Sequence, residues 1–328
     1  MIISKTPYRI SFFGGGTDYP DWYLKNGGQV LSTSIDKYIY ITCRNLPNIF
    51  DENIRLVYSK IESVQNVNQI KHPAFRETLK YGKLINNLDI HYDGDLPGFS
   101  GMGSSSAFTV GLLNAIKTYK NCKISQLNLA KQSIFIEQKK IGEVVGSQDQ
   151  IITAVGGFNH IIFNKNNKIK IKKVNINKNT YKTLENNLML FYTGIKRSSS
   201  KIAQSYVINL EKKMKILKII NSNVEDALAI LNNGDINDFG KLLNDTWQQK
   251  KQLSNKVSNK FIDEIYDVAI NSGSLGGKIT GAGGGGFIIF YVEKKYQKKL
   301  KNKLGKLKHV PFKFENKGTH IIFNSIKS

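Results

Sequence analysis

Cysteine is almost missing from this chain. Two residues, Cys43 and Cys122, lie far apart in 328 positions, which excludes a disulfide framework and offers no metal-ligand spacing. Long apolar runs are missing too: no stretch of about 18 residues could form a membrane-spanning helix. The opening MIISKTPYRISFF lacks the ordered basic, apolar and small-residue zones of a secretory signal. A cytoplasmic location is therefore expected. No zinc finger, RNP-like stretch or basic coiled-coil region occurs, and no repeat points to a solenoid. Acidic residues are scarce, 25 against 48 Lys and Arg, for a formal charge of +23. Such an excess suits nucleic acid, an anionic membrane or an anionic metabolite. The lysines, however, travel with asparagine and isoleucine, as in NKNNKIKIKKVNINKN (164–179). A general surface bias ranks first, help with a phosphorylated small molecule second and nucleic acid last.

What is present describes an ordered globular protein. The length favours two units, and 40% apolar content argues against disorder. RISFF (9–13), DKYIYITCR (36–44), IRLVY (54–58) and LDIHYD (88–93) have strand character, while DWYLKNGG can hold a short helix or a loop. Apolar residues at helical spacing predict helices over 72–85, from Ala107 onward, and over 124–142, the last with Ser125 as N-cap and Gly142 as stop. GGFNHIIFNKNN (156–167) reads as a strand entering a polar hairpin. Beyond a boundary near 160–185, NLMLFYTG (187–194) begins a second unit. Helices are expected over roughly 198–215, 223–231, 236–252 and 259–271, then a β-α-β-β tail ending in HVPFKF and THIIFN. The alternation indicates α+β or α/β layers.

Three segments carry chemistry. In LPGFSGMGSSSAFTVGLLNAI (96–116), glycines and serines precede an apolar helical pattern. Amides exposed at a helix start, with its positive dipole end, can cradle phosphates. The hydroxyls of Ser104, Ser105 and Ser106 can cap the helix, bind phosphate or contact Mg²⁺. No Gly-Lys-Ser/Thr follows, so this is not a Walker A loop, and Ser106 breaks a G-x-G-x-x-G reading. A serine-capped helix after a flexible loop is the plainer alternative. In GGKITGAGGGGFIIF (276–290), four consecutive glycines suit a place where two segments pack closely or line a ligand cleft. In IEQKKIGEVVGSQDQ (136–150), Glu137 on a helix and Asp149 in a turn-like setting can supply a metal ligand and a base, though each alone reads as a solvated acid. A fourth stretch, FFGGGTDYP (12–20), invites a phosphate-loop reading against that of a plain turn.

Together these segments resemble the GHMP small-molecule kinase superfamily, which includes galactokinase, homoserine kinase and mevalonate kinase. The resemblance runs over nearly the whole chain, through TPYRISFFGGGTDYP (6–20), LPGFSGMGSSSA (96–107) and KITGAGGGGF (278–287) in order. It implies a two-domain α+β fold, with an N-terminal ribosomal protein S5 domain 2-like domain (1–170) that binds ATP and a C-terminal ferredoxin-like domain with extra helices (171–328). It implies ATP and Mg²⁺ as cofactors. Pro97, Gly98, Ser100, Gly101, Met102, Gly103, Ser104, Ser105 and Ser106 would hold the triphosphate. Asp149 falls on the catalytic aspartate. Glu137, with Ser104 or Ser105, falls on the magnesium ligands. Arg9, two residues after the first-motif proline, would favour an ionised aspartate or stabilise charge on the transferred phosphoryl group.

A galactokinase-like first motif carries Glu-His before Thr-Asp, where this chain has Gly15 and Gly16 before Thr17 and Asp18. The departure weakens galactose as the substrate. GGGTDYP, GGQVLSTSIDKYIYI (27–41) and FYTGIKRSSSKI (191–202) are similar to D-glycero-D-manno-heptose 7-phosphate kinases. Those enzymes phosphorylate the anomeric hydroxyl to give the 1,7-bisphosphate for GDP-heptose and surface polysaccharide. Fucokinase-like relatives more often carry a tryptophan in the glycine run, which this chain lacks. On this reading Gly15, Gly16, Thr17, Asp18 and Gly283 face the sugar. Arg197, Lys196 and Lys278 are candidates for its phosphate. The partner is a small-molecule sugar phosphate, with no nucleic acid and no membrane. No interface stands out from an apolar core face, so the sequence assigns no oligomeric state. The alternatives are a kinase of fucose or an N-acetylhexosamine, and a non-catalytic regulator that retains both sites.

Overall fold

A computed structural model of the chain describes residues 1–207 and 211–326. The first unit is built on two long strands, β1 (Ile2–Phe13) and β2 (Gly28–Asn45), joined through α1 (Pro20–Asn26). Along the chain follow β3 (Ile54–Val57), β4 (Ile61–Val64), α2 (Pro73–Gly82), β5 (Leu88–Gly94), α3 (Ser104–Tyr119) and α4 (Gln126–Phe135). A π-helical turn (Ile136–Ile141), α5 (Gln148–Val155), β6 (Phe158–Phe163) and β7 (Ile169–Lys173) complete the run. β1 and β2 are rich in β-branched and aromatic residues that fit a pleated surface. They pair antiparallel from Ile2 opposite Cys43 to Phe13 opposite Leu31. At 18 residues, β2 has room for several further partners. Its first half pairs with β6 and its second with β5. β3 joins β5 in parallel and β4 forms the edge.

The helix expected over 72–85 is α2, started by Pro73 at its first position, where the missing N–H costs nothing. Ser125 caps α4, its hydroxyl accepting from the Asn128 amide at 3.3 Å, and left-handed Gly142 ends the π turn, as expected. The second unit contains α6 (Lys178–Asn187), β8 (Leu188–Tyr192), α7 (Ser199–Val207), α8 (Met214–Asn233), α9 (Ile236–Lys251) and α10 (Lys260–Asn271). These are followed by β9 (Ser274–Ile279), β10 (Phe287–Val292), α11 (Lys294–Lys303) and β11 (Lys308–His309). The helix expected over 198–215 corresponds to α7 in part, and its positions 208–210 lie outside the described residues. The expected 223–231 helix is the second half of the longer α8. β10, FIIFYV, is buried at every residue, as a strand covered on both faces must be. It sits between β8 and β9 in an antiparallel sheet ordered β11-β8-β10-β9.

The tail departs from expectation. Instead of completing this sheet, β12 (Phe314–Glu315) and β13 (His320–Asn324) return to the first one. β13 pairs with β1, Ile2 opposite Asn324, and β12 with β2. The cause is the outer side of β1, whose main-chain groups need a partner that the short tail strand supplies. A cut at residue 170 therefore falls inside β7, which pairs with β6. The units also meet through aromatic side chains: Phe239 of α9 stands edge-on to Phe12 and Phe13 at 5.3 and 5.0 Å. Among the described residues no helix is long and apolar enough to cross a membrane.

Candidate active site

The middle of β1 carries Arg9 into the interior, and the start of α5 brings Asp149 to meet it. Arg9 Nε donates to Asp149 Oδ1 at 2.7 Å and Nη2 to Oδ2 at 2.6 Å. Nη1 donates to the Gly101 carbonyl at 2.7 Å, and the Arg9 amide to the Met102 carbonyl at 3.2 Å. Such a two-pronged pair fixes the carboxylate in orientation as well as in place. The arginine side chain is 4% exposed and the aspartate 23%, so the carboxylate keeps an open side. Asp149 lies in the first turn of a helix and not in the turn-like setting expected. Glycines at 146 and 156 flank an eight-residue element whose buried face, Ile151, Ile152 and Ala154, is short enough to escape periodicity.

The phosphate-loop candidate sits directly beyond Arg9. Left-handed Gly103 is the N-cap of α3, and no serine side chain caps the helix, which corrects the capping reading. The first-turn amides of Ser104, Ser105 and Ser106 precede the first intrahelical donor, Ala107, which bonds the Gly103 carbonyl at 2.9 Å. They are the orphan donors of a helix start, aimed along its positive end. The glycine run closes on this loop from the second unit. The Phe287 amide donates to the Ser100 carbonyl at 3.1 Å, and Arg197 reaches across, Nη2 to the Thr280 carbonyl at 3.0 Å. A Cβ on Gly286 would collide with the Ser100 carbonyl, so close approach of two backbones explains the glycine there.

Glu137 projects from the π turn, a distortion that often marks functional positions. Its Oε2 accepts from Ser106 Oγ at 2.9 Å and from Gln150 Nε2 at 2.7 Å. Its buried Oε1 has no partner among the described residues. Burial, and then the charge of Glu143, raise its pKa to about 8, against the pull of the neighbouring Ser106, Gln150 and Thr109. The hydroxyl beside Glu137 belongs to Ser106. Ser104 is half-buried and Ser105 exposed, and neither bonds the carboxylate. The described residues hold no group of three or more His, Cys, Asp or Glu that could form a protein-only metal cage.

On the other side of the Arg9–Asp149 pair opens a narrow cleft, lined among others by Gly15, Gly16, Asp18, Asp149, Lys250 and Lys278. Asp18 is buried and accepts from the amides of Gly16 at 3.0 Å and Gln148 at 3.3 Å. Burial and the neighbouring Asp149 push its carboxyl upward. A side chain on Gly146 would strike that carboxylate. A Cβ on Gly15 would stand 3.6 Å from Ser11 Oγ and 3.7 Å from Gln148 Nε2, so any larger residue there would enter the cleft. Lys278 Nζ donates to the Ser11 and Phe12 carbonyls at 3.0 and 2.7 Å. Lys250 Nζ donates to the Gly281 carbonyl. Tyr19 and Tyr206 share a hydroxyl contact of 3.3 Å at the wall.

Sequence profiles match this chain twice, the GHMP kinases N terminal domain over residues 67–157 and the GHMP kinases C terminal domain over 208–309. The chain belongs to the GHMP kinases. It is 31% identical over 310 residues to D-glycero-alpha-D-manno-heptose 7-phosphate kinase of Campylobacter jejuni, covering 90% of this chain and 91% of that one. It is 26% identical to a galactokinase of Pyrococcus furiosus, over 89% of each chain. The fold matches that of a D-glycero-D-manno-heptose 1-phosphate kinase from Bacteroides thetaiotaomicron with a TM-score of 0.81, at 23% identity and 99% coverage of both. This GHMP kinase is thus an ATP-dependent sugar kinase with the two-domain α+β fold of its family.

Most of the residues expected at the site of this kinase converge, and a few stand apart. Lys196 is exposed and does not line the cleft. Thr17 is buried, its hydroxyl spent on the Gly14 and Gln29 carbonyls at 2.8 and 3.0 Å. Gly283 is pressed against Val257, and its neighbours Gly281 and Ala282 line the cleft instead. Arg197 holds the two glycine loops together, outside the cleft lining. Pro97 and Gly98 lie at the half-buried outer end of the loop, with open space around Gly98. Sequence reasoning missed Lys250, Gln148, Tyr19, Tyr206 and Gln150. A signal for Lys250 existed: it falls in phase with Phe239, Leu243 and Trp247, the buried stripe of α9.

Proposed function

We propose that this kinase transfers the γ-phosphate of ATP to the C1 hydroxyl of D-glycero-α-D-manno-heptose 7-phosphate. The observation that carries the reading is the placement of Asp149. Arg9 grips both its oxygens, with the helix-start loop on one side and the cleft on the other. The 31% identity to a heptose 7-phosphate kinase supports the choice of sugar. Asp149 accepts the proton of the C1 hydroxyl as that oxygen attacks the γ-phosphorus in line. A C1–O–P bond forms, the bond to the β-phosphate oxygen breaks, and ADP leaves. Residues 97–106 hold the phosphates, chiefly through the amides of Ser104, Ser105 and Ser106, while the Arg9 cation offsets charge near the transferred group. Positioning and electrostatics of this kind supply most of the rate gain in phosphoryl transfer.

Glu137 Oε1 is a hard oxygen donor fit for Mg²⁺, with the Ser106 hydroxyl holding Oε2 and Ser104 or Ser105 as a further oxygen donor. Mg²⁺ usually takes one or two carboxylates and leaves the rest to phosphates and water. When bound, Mg²⁺ would neutralise phosphate charge. Asp18 and the main chain at Gly15 and Gly16 face the sugar hydroxyls. Division of the chain near residue 170 into an ATP-binding and a C-terminal domain, a cytoplasmic location and supply of the 1,7-bisphosphate to GDP-heptose synthesis belong to the same proposal. The test is a phosphoryl-transfer panel with ATP and Mg²⁺ over heptose 7-phosphate, unphosphorylated heptose, fucose, galactose and N-acetylhexosamines. NMR identification of the esterified carbon completes it. Heptose 1,7-bisphosphate as the preferred product is expected. A higher kcat/KM on another sugar, or a phosphate at another carbon, overturns the substrate assignment.

A further inference from the structure

The cleft holds more positive charge than the proposed chemistry needs. Arg9 from β1, Arg197 from the segment before α7, Lys250 from α9 and Lys278 from β9 lie within electrostatic reach of one another. Asp18 and Asp149 are the carboxylates that face them, and Tyr19 and Tyr206 complete the wall. Arg9, Lys250 and Lys278 line the cleft with two carboxylates, and Arg197 stands behind them, so an added dianion finds a surplus of basic groups. Arg9 is committed to Asp149, and Arg197 to the loop carbonyl of Thr280. The two lysines differ from both. Each is at least 95% buried, lines the cleft and binds main-chain carbonyls, the weakest anchors available to an ammonium in such a place. Lys250 meets a single carbonyl among the described residues, so two of its three donors can turn toward a ligand.

We infer that Lys250, with Lys278 beside it, binds the phosphate monoester of the acceptor sugar and makes this kinase select phosphorylated over unphosphorylated substrate. The inference rests on the sugar-phosphate kinase reading for its ligand. A phosphate on the nucleotide would offer the same chemistry, but the cleft is lined by Asp18, Tyr19 and Tyr206 and by none of residues 97–107. Burial, with Arg197 and Arg9 nearby, pulls the Lys250 ammonium down to about 7, a strained state that an arriving dianion relieves. Lys278 is one of the three residues expected from the sequence to read the phosphate, and Lys250 takes the place given there to Lys196 and Arg197.

Equilibrium binding to the full chain by titration calorimetry, without nucleotide, tests the inference. The probes are heptose 7-phosphate and unphosphorylated heptose. Wild type is expected to prefer the phosphorylated sugar by about 10- to 100-fold, the range for a charge-assisted contact. Lys250→Met should bring the two affinities within about threefold. Lys250→Arg should keep most of the preference, and MgATP affinity should hold in both variants. Melting curves confirm that each variant is folded. No preference in wild type, or a full preference in folded Lys250→Met, overturns the assignment. Loss of MgATP affinity in Lys250→Met with the sugar preference intact also overturns it, by placing the lysine on the nucleotide. Transfer from ATP is measured separately, so a protein that selects the sugar phosphate but does not phosphorylate it refutes the kinase reading alone.

Discussion

The two sides of the Arg9–Asp149 pair are made of different material. The loop side is backbone: glycines, amides at the start of α3, and carbonyls of two chains pressed together. The cleft side is side chain, with carboxylates, ammoniums and phenols delivered by β1, α5, α7, α9, β9 and the turn after β1. Backbone donors suit a group that every family member shares, because their geometry survives changes of sequence. Side chains suit the group that differs between members. On the proposed roles specificity resides on the cleft side, and the contrast can be broken experimentally one side at a time.

The largest effect is expected at the hinge between the sides. Asp149→Asn should lower kcat by about 10³-fold, within the range for loss of a positioned base, with secondary structure retained by circular dichroism. Turnover within tenfold of wild type would remove the base role. Next comes the serine register. Ser106→Ala strips the hydroxyl from Glu137 and should raise the Mg²⁺ concentration for half-maximal rate by about tenfold, as for lost support of a ligand. Ser105→Ala, exposed and unbonded to the carboxylate, should change it less than about twofold, which leaves Ser104 as the further oxygen donor. Equal effects would mean that Glu137 is not the residue through which Ser106 acts. On the cleft side, Gly146→Ala drives a methyl into Asp18. It should raise the sugar KM by about tenfold while the KM for ATP stays put, the split expected when one half of a site is distorted.

The same contrast decided how far sequence alone could go. The loop side was legible because its chemistry is local: GFSGMGSSSA and GAGGGGF announce close backbone approach within a dozen residues. Asp149, Arg9 and Glu137 became readable through their family pattern. The cleft side was largely hidden, since Lys250, Tyr206 and Gln148 come from elements far apart and meet only after the two units pack. In a chain with 48 basic residues, Lys196 in an exposed loop was singled out and Lys250 on a helix was passed over. The helical phase, which puts Lys250 on the buried stripe of α9, separates them, and burial is what distinguishes a ligand-reading lysine from a solvated one. Besides the missed short helix that carries Asp149, the fold went astray at the tail. THIIFN carries strand composition, but composition does not name a partner strand, and the free side of β1 lies more than 300 residues upstream.

The smallest expected effect concerns stability. Lys250 holds its proton less tightly in the folded protein, about 7, than in the unfolded chain, where a lysine sits near about 10.4. Between those values the unfolded state binds the extra proton, so this group makes folding more favourable as pH rises through the window. Below about pH 7 the penalty of a buried ammonium is fully present. Lys250→Met deletes the titrating group and keeps the length of the side chain. In substrate-free protein, the melting temperature of the variant minus that of wild type should therefore be larger at pH 6 than at pH 9, by roughly 2 °C or more. Lys278 is present in both proteins, and losing the Lys250 charge eases the downward pull on its own ammonium, which moves the difference in the same direction. A difference that does not move with pH would show that Lys250 titrates as an ordinary lysine. Specificity on the cleft side would then rest on its shape, set by Gly15, and not on stored charge.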